Sequence, residues 1–128
     1  MKILLGCVLL VVSIAASSAM ACGACIEDKV AATYDHAVIE RATSKGNVVV
    51  FCELKGRIDP SRLKEATRHM MGVDTTSVRV AQAPAALSFA LDAARQSPEN
   101  VVVALRHMFP DIRITIIREI ASSPTPSP

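Results

Sequence analysis

The chain has 128 residues, of which 51% are hydrophobic and 20% charged, and this suits one small domain with a packed core. It has no Trp, one Tyr and three Phe, so it lacks an aromatic platform on which nucleobases stack. The formal charge of +2 is spread without a basic run or stripe, which argues against nucleic acid as a partner.

The first 21 residues read as a secretion leader. Lys2 supplies the positive start, residues 3–14 an apolar run, and Ala19-Met20-Ala21 a small-x-small cleavage site. The expectation is an exported protein, in a compartment such as the bacterial periplasm. No second run of about 18 apolar residues follows, so the processed chain is not expected to span a membrane. Cleavage after Ala21 would leave Cys22 as the first residue of a Cys22-Gly23-Ala24-Cys25 pair. A lipoprotein box would carry Leu three residues before its Cys; Ala19 stands there, which argues against lipid on Cys22. Of the four cysteines, Cys7 leaves with the leader. Cys22, Cys25 and Cys52 remain, an odd set that cannot all pair within one chain.

The segment 25–44 predicts one continuous helix. Ile26, Val30, Tyr34, Ala37, Val38 and Ala42 recur at helical intervals with charges between them, and Gly46 follows as a stop. Residues 47–55 predict a strand centred on Val48, Val49, Val50, Phe51 and Cys52, ended by Gly56. Asp59-Pro60 opens a helix with a cap and a first-turn proline, and Leu63, Ala66, Thr67 and Met70 form its stripe up to Gly72. Residues 77–81 predict a second strand, Pro84 a turn, and the alternation of Leu87, Phe89 and Leu91 a third strand. Ser97-Pro98-Glu99 opens another helix, with Val101, Val102, Leu105 and Met108 on its buried side. Ile112, Ile114 and Ile116 alternate as a fourth strand. The Ser/Pro stretch at the end carries too little apolar surface to fold.

This pattern predicts an α+β chain: a leader over 1–21, a Cys-x-x-Cys segment and N-terminal helix over 22–46, a folded body over 47–120, and a disordered tail over 121–128. The body's order of strand, helix, strand, strand, helix, strand corresponds to the ferredoxin-like βαββαβ two-layer sandwich, preceded here by an extra helix. One sheet face is apolar. The other mixes Val49, Phe51 and Ile117 with charged residues, and is expected either to carry the N-terminal helix or to receive a partner or a second copy.

At this point the chain resembles the heavy-metal-associated domain, a copper- or mercury-binding ferredoxin-like module. The matching features are the hydrophobic strand ending at Gly56, the helix from near Asp59, Gly72-Val73, and Ser77-Val78-Arg79-Val80. The family's two metal cysteines follow the first strand; aligned on Gly56, their positions here hold Asp59 and Arg62. A protonated guanidinium cannot ligate a cation. The family's own site is therefore absent, and the resemblance implies a fold more than a function.

Thiol chemistry then falls to Cys22 and Cys25. Two thiolates at this spacing suit Cu(I) or Hg(II), which accept two near-linear sulfur ligands, whereas Zn(II) generally wants four. A helix start stabilises thiolate. Cu(I) or another soft ion is therefore the expected cargo, exchanged with a metal donor or acceptor protein. Two other readings stand beside it: a thiol–disulfide redox partner, because Cys-Gly-x-Cys resembles the thioredoxin site, and a non-catalytic interaction module with a structural disulfide. Self-association fits the last.

The remaining candidates read as structural. His36 lies too far along a continuous helix to share an ion with Cys25, and with Asp35 and Glu40 would form a separate polar patch. His69 and His107 suit helix C-termini. Met70-Met71 could offer thioether to copper but more often fills a core edge. Cys52 reads as a small buried hydrophobe; a reversed strand register would bring it to the N-terminal pair. No hydrolase constellation or phosphate loop appears, so no enzyme activity is expected.

Overall fold

A computed structural model describes residues 19–122; for 19–25 it describes the backbone, as part of a helix. Residues 1–18, with most of the expected leader, and 123–128, with most of the expected tail, lie outside the described residues. The elements are α1 (Ala19–Thr33), α2 (His36–Ser44), β1 (Val48–Gly56), α3 (Pro60–Arg68), β2 (Arg79–Gln82), β3 (Ala85–Leu91), α4 (Pro98–Met108) and β4 (Ile112–Ile120). The chain is α+β, with one four-stranded sheet in the order β2-β3-β1-β4 and every neighbouring pair antiparallel.

Side-chain alternation divides the core in two. Val48, Val50, Cys52 and Leu54 of β1 pack with Leu87, Phe89 and Leu91 of β3 under Leu63 of α3 and Val101, Val102 and Leu105 of α4. Val49, Phe51 and Ala90 point the other way and meet Val30 of α1 with Val38 and Ala42 of α2. The face proposed for a partner is thus covered by the chain's own helices: Val49 and Phe51 are each 1% exposed.

Two expectations need correction. The segment 25–44 is not one helix. Asp35 adopts an extended conformation and its carboxylate accepts the Ala37 and Val38 amides, so it caps a second helix instead of extending the first. Tyr34, expected on the apolar stripe, is 51% exposed at that break. The fourth strand also runs on to Ile120 and changes face. Cys52 pairs with Ile116 but Phe51 pairs with Arg118, so Ile117 is a bulged extra residue. Before the bulge Ile112 and Ile114 face α3 and α4; after it Ile120 packs with the α1–α2 cluster.

The helices begin where their caps dictate. Asp59 accepts the Arg62 amide at 3.3 Å and Ser97 accepts the Asn100 amide at 3.1 Å, each followed by proline in the first turn. Gly56 closes β1 at φ +115, where a Cβ would run into the Asp111 carbonyl oxygen. Gly56→Ala is expected to destabilise the fold by about 1–3 kcal/mol or more through backbone strain. Gly46→Ala, at φ +75 with nothing nearby, should lose less. Urea denaturation of both variants checks the ranking; equal midpoints would remove the assigned role of the Gly56 contact.

Candidate functional site

Positions 22 and 25 fall in the N-terminal part of α1. Three residues apart in a helix, they are neighbours on one helical face. Their side chains lie outside the described residues, but the rest of α1 is well placed on the sheet. Val30 is buried against β1 and β3. Lys29 Nζ sits 3.3 Å from Glu53 of β1, the Arg118 guanidinium of β4 forks onto the Glu27 carboxylate, and Ser88 Oγ donates to the Thr33 carbonyl at 3.2 Å. One turn on, Arg79 of β2 donates to Asp35 at 3.0 Å. The described part of α1 is therefore fastened to three strands.

These contacts set the carboxylates' acidity. The Arg118 hydrogen bond holds Glu27 below the ordinary carboxylate range. The Val38 amide, then Arg79, does the same for Asp35. Lys55 acts likewise on Glu53, against the opposing effect of burial and with Lys29 adding to the lowering. None of this polar clasp was anticipated from sequence. The only local signal was Asp35 itself, an N-cap residue in mid-pattern; its strand partners are remote in the chain.

Cys52 is fully buried among apolar side chains on the α3–α4 face. Burial pushes its thiol up to about 12, with Arg106 opposing and Glu119 adding to the rise. The described part of α1 packs on the opposite face of the sheet, through Val30, so the Cys52 side chain points away from it. His36 belongs to α2 and pairs with Glu40 at 3.1 Å, both exposed, whereas Asp35 is engaged in capping.

At the positions of the family's metal loop, Asp59 caps α3 and the Arg62 guanidinium lies 5.9 Å from the Phe109 ring centroid. Both are committed to helix structure, and neither forms a soft-metal site. Met70 packs on the core edge, while Met71 is 61% exposed. Met108, expected on the buried side of α4, is 53% exposed. Among the described residues no three His, Cys, Asp or Glu side chains cluster as metal ligands, and no helix is long and apolar enough to cross a membrane.

No family model, curated protein or solved structure matches the chain.

Two outcomes test this geometry. In the processed chain carrying Cys22→Ser and Cys25→Ser, where Cys52 is the one remaining thiol, Cys52 is expected to resist an aromatic disulfide reagent under native conditions and react fully in denaturant; rapid native labelling would contradict its burial. The clasp should also be acid-sensitive. Carboxylates whose pKa folding depresses contribute stability above their unfolded pKa and lose it as pH falls through the folded one. Acidification from about pH 5 to about pH 2 should therefore speed amide exchange in α1 and α2 before β1 and β3. Simultaneous loss of protection in all four elements would count against a separable clasp.

Proposed function

We propose that this is an exported, non-catalytic protein that captures or carries a soft metal ion, Cu(I) or one of the Hg(II) type, through Cys22 and Cys25. The body is read as a ferredoxin-like module akin to the heavy-metal-associated domain. The connectivity β1-α3-β2-β3-α4-β4 with sheet order β2-β3-β1-β4 supports that reading.

The observation carrying the functional reading is the placement of positions 22 and 25 three residues apart at the end of a helix whose other end is clamped to the sheet. Two thiolates held as neighbours match the low coordination number of a soft monovalent ion. With the leader removed after Ala21, Cys22 becomes the first residue of α1. The unpaired amides of the first turn then favour thiolate, lowering the thiol pKa and strengthening both ligands. The buried Cys52 takes no part. Cargo would pass to a donor or acceptor protein by exchange of one sulfur at a time.

The test is competition for Cu(I) against a chromophoric chelator, using the reduced processed chain and its Cys22→Ser, Cys25→Ser variant. The unsubstituted protein should hold an equivalent of Cu(I) that the variant releases to the chelator. Equal retention by the two proteins would end the cysteine proposal.

A further inference from the structure

A groove of about 510 Å³ runs between α3 and the end of α4, lined by Glu65, Ala66, His69, Met70, Met108 and Phe109, with Arg62 also on its wall. We propose that this groove is a second soft-metal site, independent of the cysteine pair, that takes Cu(I) through the thioethers of Met70 and Met108 and the Nε2 of His69.

The donor chemistry is specific. Thioether sulfur and imidazole nitrogen are ligands for Cu(I), and thioether has little affinity for hard cations. The His69 tautomer is fixed by its surroundings. Nδ1 lies 2.8 Å from the Glu65 carbonyl oxygen, which can only accept, so Nδ1 carries the proton. Nε2 keeps its lone pair, and a hydrogen bond from the far nitrogen is the usual support of a ligating imidazole. The Glu65 carboxylate oxygen, 3.4 Å from the same Nδ1, adds negative charge behind the ring.

Access fits as well, and the groove's positive charge, which opposes any cation, opposes a monovalent one least. His69 has a side chain 74% exposed and Met108 is 53% exposed, so both reach solvent, while Met70 is anchored on the core. Arg62 is drawn over the Phe109 ring and keeps one positive charge in the groove. That charge repels a divalent ion about twice as strongly as a monovalent one. Thioethers do not pair into disulfides, so this site would hold Cu(I) whether the cysteines are reduced or oxidised.

The processed chain, from residue 22 on, carrying Cys22→Ser and Cys25→Ser is titrated with Ag(I), a redox-inert stand-in for Cu(I), and followed by NMR. The methyl signals of Met70 and Met108 and the His69 ring signals should shift together and stop at one equivalent. Adding Met70→Leu and Met108→Leu, volume-conserving changes, should abolish the residual Cu(I) binding measured with a weak chelator. Unshifted methionine methyls, or Cu(I) retention unchanged by the leucines, would overturn the site. Loss of all binding in the cysteine variant alone would also overturn it, and would leave the cysteine proposal standing.

Discussion

Strand β1 is buried on both sides from Val48 to Cys52, and the other elements are arranged by that requirement. An antiparallel strand more often shows one face to water. Here the even positions need α3 and α4 and the odd positions need α1 and α2. Central placement between β3 and β4 satisfies its backbone, and helices on both faces satisfy its side chains. The bulge at Ile117 follows from the same demand: one extra residue in β4 lets a single strand supply Ile114 to one core and Ile120 to the other.

The two faces are held differently. The α3–α4 face is the larger and is apolar, with Leu63, Phe89, Leu105 and Val101 fully buried. The α1–α2 face buries fewer side chains and is bordered by charge pairs between helix and strand, each partly exposed. Exposed pairs of this kind contribute little individually, about 0–1 kcal/mol, and their value lies in orientation. They fix where α1 crosses the sheet.

The strands and the two capped helices of the body were legible because their signals are local: alternation at Leu87, Phe89 and Leu91, and Asp59-Pro60 and Ser97-Pro98 at helix starts. The break at Tyr34-Asp35 was masked by an apolar spacing that continued through it. The bulge was invisible because alternation through Ile116 gives no warning that pairing with Phe51 and Cys52 shifts. On the candidate sites, the cysteine pair was evident as a motif. That Met108 lines one groove with His69 and Met70 was not, since it depends on how two helices far apart in the chain lie side by side.

The burial of Cys52 on the side of the sheet away from α1 has a bearing on how the chain matures. A disulfide needs two sulfurs in contact, and Cys52, fully buried in the folded chain, offers its own to no other thiol. Mispairing with it is therefore open only to molecules still unfolded. In an oxidising environment the order of events decides the product: closure of the sheet before thiol oxidation shelters the third sulfur, whereas a bridge formed first to Cys52 holds its side chain out of the core it must fill.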